Sequence, residues 1–219
     1  MPVAPLVLTL GAGVVGAVLG WWPLATWADR NIHRDRAERM SLRALRGWSA
    51  GSTAVVVAVL AWRFGIDPVL PALLALAAAG VALSIVDLTE QRLPNAMLLP
   101  TSLALAVLLV IASTITGEWL ALAWAAAGGA AMFAFYFALA LISPKAMGMG
   151  DVKLALPIGL VLGWFGWGAW VAGLLGAFIV GGVVAIVALA LRRVTLRGSI
   201  PFGPSMLAGA LVALVMVGD

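Results

Sequence analysis

The chain contains no cysteine and only one histidine, His33. The first absence excludes disulfides, thiolate metal sites and cysteine nucleophiles. The second excludes the paired histidines of a zinc protease, and a lone histidine cannot build a metal cluster by itself. Charge is scarce as well: 10% of residues are charged, where soluble domains carry about a quarter. That is too few to cover a water-facing surface. In place of charge the sequence has apolar residues, 64% of the total. Between Lys153 and Arg192 no charged residue occurs, a run long enough for two membrane spans at about 20 residues each. The apolar segments lack period-2 alternation. In lipid the backbone must satisfy its own hydrogen bonds, so helices are favoured over a barrel. The expected fold is all-α, a polytopic membrane helix bundle of about eight transmembrane helices.

Charges, prolines and glycines place the spans near 3–22, 49–65, 69–86, 96–116, 119–141, 152–165, 168–191 and 201–217. The sixth is short and holds Pro157, which predicts a tilted, kinked or partly re-entrant helix. The first apolar stretch, Val3 to Trp22, has its basic residues after it rather than before it. That is the reverse of a secretory signal, and it reads as a retained span. With eight alternating spans, all of the 13 basic residues except Arg63 fall on one side. The positive-inside rule makes that side cytoplasmic and puts both termini outside. Trp21, Trp22 and Trp48 then mark the inner interface, and Trp62, Trp119, Trp164 and Trp167 the outer one.

The chain reads as one integral membrane domain, with residues 1–66 forming N-terminal helices and a basic cytoplasmic loop, and residues 67–219 the core. In that loop Arg36, Arg39, Arg43 and Arg46 recur at helical spacing while Leu42, Leu45 and Trp48 share another face. Two readings are open: an amphipathic helix on the anionic inner leaflet, or a solvated topogenic loop. Gly11, Gly13 and Gly16 match a dinucleotide-binding fingerprint letter for letter. They lie inside an apolar span without a βαβ unit, so helix packing through small residues explains them better. No nucleic-acid partner, cofactor or metal is expected.

The chemistry must therefore come from the nine acidic residues. A serine protease with a histidine base would need His33 at a membrane-embedded serine, yet His33 stands in the arginine-rich loop. Asp29, Asp35 and Glu38 alternate with arginines there; Asp67, Glu118 and Asp219 fall in outer turns or at the terminus; Glu90 lies in the polar stretch Thr89 to Arg92. Asp87 and Asp151 differ. Asp87 follows the apolar run Ala82 to Val86, and Asp151 opens an apolar helix after Met147-Gly148-Met149-Gly150. Both lie at the same depth on the inner side. On the residues alone they are either interfacial helix caps or functional intramembrane acids.

Their surroundings carry a resemblance. Asp87-Leu-Thr-Glu-Gln-Arg-Leu-Pro94-Asn95 resembles the first aspartate motif of the type IV prepilin peptidases. Gly148-Met149-Gly150-Asp151-Val152-Lys153-Leu154 resembles the family's Gly-x-Gly-Asp motif, and Ile200-Pro201-Phe202-Gly203-Pro204 its last-helix signature. The three stand in the family's order and cover roughly Ser84 to Ala210. The presenilin-like branch of Gly-x-Gly-Asp proteases is disfavoured. Val86 rather than tyrosine precedes Asp87, and Pro71-Ala72-Leu73 precedes both aspartates.

The resemblance implies a membrane-embedded aspartic endopeptidase that removes the leader of type IV prepilins or pseudopilins at the cytoplasmic face of the inner membrane. Asp87 and Asp151 would be catalytic. Gly148 and Gly150 would admit close approach of backbone and substrate, and Lys153, Pro94 and Asn95 would support the site or bind substrate. Lys153 is also readable as a snorkelling topogenic lysine. Many family members add two Cys-x-x-Cys pairs and methylate the new N-terminus. Here Gly20 to Arg34 is only faintly similar to the segment before that domain and no cysteine follows, so methyltransferase activity is not expected. The alternative from another class is a proton-coupled transporter that uses both aspartates as a relay. Against it, transporter sites sit near the midplane rather than at helix ends.

Overall fold

A computed structural model describes residues 3–33, 41–143, 147–192 and 201–216. The described residues are helical almost throughout. α1 (Val3–Leu19) passes through a π-helical turn (Gly20–Leu24) into α2 (Ala25–Asn31), and these three form one continuous rod. After it come α3 (Leu42–Phe64), α4 (Leu70–Glu90), α5 (Asn95–Thr116), α6 (Trp119–Ile142), α7 (Met149–Trp164), α8 (Trp167–Ala190) and α9 (Gly203–Met216). Among the described residues six helices are long and apolar enough to cross a membrane: 6–31, α3, α4, α5, α6 and α8. α7 has 16 residues and α9 has 14, shorter than the others. Apolar side chains cover the outside; along α8, Leu175, Ile179, Val183 and Ile186 form an exposed stripe. Such a surface suits lipid and not water.

Helix ends follow local chemistry. Ser41 caps α3, its hydroxyl accepting from the Ala44 amide at 3.3 Å. Gly117 ends α5 in the left-handed region at φ 77°, and its N–H reaches the Ser113 carbonyl at 2.8 Å. Pro94, which has no N–H to satisfy, caps α5.

Three expectations about the helices need correction. The first helix continues to Asn31, because a π-helical turn absorbs Pro23 rather than breaking there. α3 begins at Leu42, so Leu42, Arg43, Leu45, Arg46 and Trp48 belong to a span and not to a separate surface helix; Leu45 is buried. Arg36 and Arg39 lie outside the described residues, as do Lys145, Arg193 and Arg197. α7 runs unbroken through Pro157, whose ring sits in the buried interior. Trp164 is also corrected: it is 9% exposed and packs in the core instead of anchoring at an interface. Trp21, Trp22, Trp48, Trp62, Trp119 and Trp167 are exposed, as belt residues are.

The bundle is held by seams of small residues. Gly13 and Gly16 of α1 face α3, which accounts for the glycine pattern without a nucleotide. A tight seam joins α6 to α7. A methyl on Gly128 would stand 2.7 Å from the Gly159 carbonyl oxygen and 2.8 Å from the Gly163 Cα. The two backbones touch where side chains would otherwise keep them apart. Gly128→Ala should therefore cost about 1–3 kcal/mol through overpacking, since its neighbours are backbone and cannot swing aside. Thermal denaturation in detergent should show a lowered midpoint, while Gly182→Ala, whose methyl meets nothing within 4 Å, should match wild type. Equal midpoints for the two variants would contradict the seam.

The seams set the direction of each helix. Arg63 near the end of α3 donates from Nε to the Val215 carbonyl at 3.2 Å, so the C-terminal ends of α3 and α9 lie together. α4 runs back from that end, and its last turn meets the beginning of α9. α7 packs against α4, α5, α6, α8 and α9, which makes it the central helix.

Candidate active site

Asp87 lies one turn inside the C-terminal end of α4, which continues to Glu90 rather than stopping at the aspartate. It is 4% exposed among apolar neighbours. A carboxylate so placed needs a partner, and α9 supplies one. The Gly203 N–H, the first of α9, donates to Asp87 Oδ2 at 3.1 Å. The first amides of a helix have no partner inside it and carry the positive end of its dipole, which suits them to a carboxylate. A methyl on Gly203 would stand 2.7 Å from Asp87 Oδ2, so a side chain here would have to displace the carboxyl group.

Asp151 is the third residue of α7, not its cap; Gly148 occupies the cap position. From there the Asp151 carboxylate reaches back and hydrogen-bonds the Gly148 backbone, as the acidic arm of a capping box does. Each aspartate is thus tied to a helix N-terminus, Asp87 to that of α9 and Asp151 to that of its own helix. The two carboxyl groups are close enough to interact electrostatically. Sixty-odd positions of sequence between them are bridged by the packing of α4, α7 and α9.

One side chain lies against both sites. Leu93, 7% exposed, packs its Cβ at 2.9 Å from where a Gly150 methyl would stand, and its Cδ1 at 3.3 Å from where a Gly203 methyl would stand. Gly150 is therefore needed for close approach of the α4–α5 connection to α7. That connection starts with Gln91 in the left-handed region at φ 52° and ends with Pro94 capping α5. Pro94 thus sets where α5 starts, and Asn95 opens it. Lys153 Nζ donates to Asn95 Oδ1 at 2.9 Å, so these two expected site residues meet each other at the exposed edge of the site. The segment after α2 pins the same connection. The His33 N–H donates to Glu90 Oε1 at 2.8 Å, and His33 Nδ1 lies 2.6 Å from Arg92 Nη2. Among the described residues no cluster of acidic or histidine side chains has the makings of a metal site.

Three residues of this region were absent from the expected site. Gly203 stood in the Ile200 to Pro204 motif but had no assigned partner. Leu93 is an ordinary leucine in sequence. Tyr136 is the only tyrosine in the chain, and a lone phenol in an uncharged helix was a readable signal. It is 1% exposed and interacts electrostatically with Asp151.

Comparison with known proteins bears on this geometry. Residues 73–186 match the model of the Type IV leader peptidase family, just over half of the chain. A protein of Pseudomonas putida named prepilin leader peptidase/N-methyltransferase is 30% identical over 171 residues, covering 76% of this chain and 56% of its own. Proteins of the same name are 31% identical in Stutzerimonas stutzeri, over 71% of this chain and 53% of the relative, and in Dickeya chrysanthemi, over 62% and 47%. The chain thus spans about half the length of the curated relatives it matches. No solved structure gives a significant match. Asp87 and Asp151, with Gly148, Gly150, Lys153, Pro94 and Asn95, fall inside the matched region, and Gly203 falls beyond it.

Proposed function

Because the chain belongs to the type IV leader peptidase family, we propose that it is a membrane-embedded aspartic endopeptidase that removes the leader of a type IV prepilin or related pseudopilin. The observation that carries this reading is the convergence of Asp87 and Asp151 at one end of the bundle, each hydrogen-bonded to the backbone at a helix N-terminus, with the Asp87 carboxyl close enough to act on Asp151. Two adjacent carboxyl groups do not both ionise readily, so they share one proton. The ionised member takes a proton from water as the water oxygen bonds to the scissile carbonyl carbon. The protonated member donates its hydrogen bond to the carbonyl oxygen. The tetrahedral intermediate collapses when the leaving nitrogen receives a proton from the pair and the C–N bond breaks.

The one-sided distribution of the basic residues, Arg63 apart, supports a cytoplasmic position for the aspartate ends of α4 and α7, since an anionic inner leaflet attracts basic loops. A prepilin with a cytosolic leader meets the site there. Lys153 and Asn95, joined at its edge, are placed to hold substrate. The relatives are named for methylation as well as cleavage, but this chain has no cysteine, and we assign it cleavage alone.

Co-expression with a candidate prepilin tests the reading. A gel shift should report loss of the leader, and mass spectrometry of the mature pilin should find a free N-terminal amine. A pilin that keeps its leader with every candidate would refute the peptidase. A methylated terminus produced by the purified protein would refute the restriction to cleavage.

A further inference from the structure

The α6–α7 seam has a register, and the register places Tyr136. On α7 the residues Asp151, Ala155, Gly159 and Gly163 recur every four positions and form one ridge. On α6 the matching ridge is Gly128, Met132, Tyr136 and Ala140. Gly163 and Gly159 meet Gly128, and Gly159 meets Met132. The helices run antiparallel, so one further step along each ridge brings Tyr136 level with Ala155 and Asp151.

The ring of Tyr136 is clamped. It stacks on Phe178 of α8 with centroids 6.0 Å apart and planes 4° from parallel. It also meets Phe202 at 6.3 Å, and Phe178 and Phe202 touch each other at 5.5 Å. Phe202 precedes Gly203, and its carbonyl accepts from the Met206 amide at 3.1 Å, closing the first turn of α9. That is the turn whose first N–H holds Asp87. One residue therefore lies level with Asp151 along the seam and supports, through Phe202, the amide that holds Asp87.

We propose that Tyr136 is a positioning residue for the Asp87–Asp151 pair, its hydroxyl setting the orientation of Asp151 and its ring fixing the start of α9 against Asp87. This rests on the peptidase reading. Charged groups that could compete with the phenol are few. α5, α6, α8 and α9 carry no charged residue, Asp87 is the acidic group facing Asp151 from α4, and Lys153 on the same helix is bonded to Asn95. In this apolar setting a hydroxyl dipole acts with little screening.

Tyr136→Phe keeps the stacked ring and removes only the hydroxyl. Initial rates of prepilin cleavage, normalised to folded protein by size-exclusion in detergent, should show kcat lowered at least about tenfold with KM unchanged. The pH profile of kcat should move, because the group facing Asp151 has changed. Phe202→Leu keeps the hydroxyl and loosens the ring; it should lower kcat with KM unchanged. Wild-type kcat and profile in Tyr136→Phe would overturn the inference, as would a loss that disappears after normalisation. Asp151→Asn run alongside separates the failures. An inactive Asp151→Asn with a fully active Tyr136→Phe refutes the role of Tyr136, whereas an active Asp151→Asn refutes the aspartyl mechanism beneath it.

Discussion

Asp87→Asn and Asp151→Asn should each reduce leader cleavage by at least ~1000-fold while leaving expression and membrane insertion intact. The amide keeps the shape of the carboxyl group, so the packing around it changes little. Asparagine at position 87 can still accept from the Gly203 N–H through its side-chain oxygen. What it cannot do is take a proton from water. At position 151 the same holds for the bond to Gly148. In the proposed mechanism the two residues act on one water and one carbonyl, so their losses should not multiply, and the double variant should be no slower than either single one. Asp29→Asn and Glu118→Gln change charge on α2 and at the start of α6, away from the pair, and should cleave at wild-type rates. A well-inserted Asp151→Asn protein that cleaves normally would leave that residue as no more than the acidic arm of a helix cap.

Span positions were legible in the sequence where turns are sharp. α5, α6 and α8 lie within a residue or so of their expected limits, since Pro94, Gly117 and Gly166 interrupt the backbone at points hydropathy also marks. The starts of α3 and α7 and the ends of the first helix and of α4 were missed for one reason. Hydropathy reports where a helix leaves the apolar zone, and a helix does not end there. Arg30, Arg43 and Arg46 are good enough helix residues to carry it further. Trp164 illustrates a second limit. A tryptophan near a span end is an anchor only when its helix faces lipid, and α7 is enclosed by five others.

The aspartates were legible because acids are rare in this chain and each stands in a recognisable short motif. Their partners were not. Lys153 and Asn95 both stood out in sequence, yet their bond depends on α5 and α7 lying side by side. The contact of Leu93 with both glycines depends on a turn whose shape comes from Gln91 at positive φ. Tyr136 gains meaning only once the register of two glycine ridges is known, and a ridge pairing is a property of two helices that neither sequence contains alone.

Gly203→Ala should lower kcat by about 10–100-fold with little change in KM or in thermal stability. Its methyl would arrive 2.7 Å from Asp87 Oδ2, well inside a normal contact. The fold has an easy way out, because the atom in the way is the end of a side chain. Asp87 can turn its carboxyl group aside, or the first turn of α9 can retreat and lengthen the 3.1 Å hydrogen bond from the Gly203 N–H. Either response spares the helix bundle and disturbs the one distance that matters to the chemistry. A displacement of ~1 Å at a reacting group is enough for a loss of about 100-fold, equivalent to ~2.7 kcal/mol in the barrier. This separates Gly203 from Gly128, where the added methyl meets backbone and the damage falls on stability. Gly182→Ala, with open space around its methyl, should change neither quantity. Cleavage kinetics and detergent melting curves on the three variants give the comparison. Gly203→Ala enzyme with wild-type kcat would mean that Asp87 does not depend on the start of α9 for its working position.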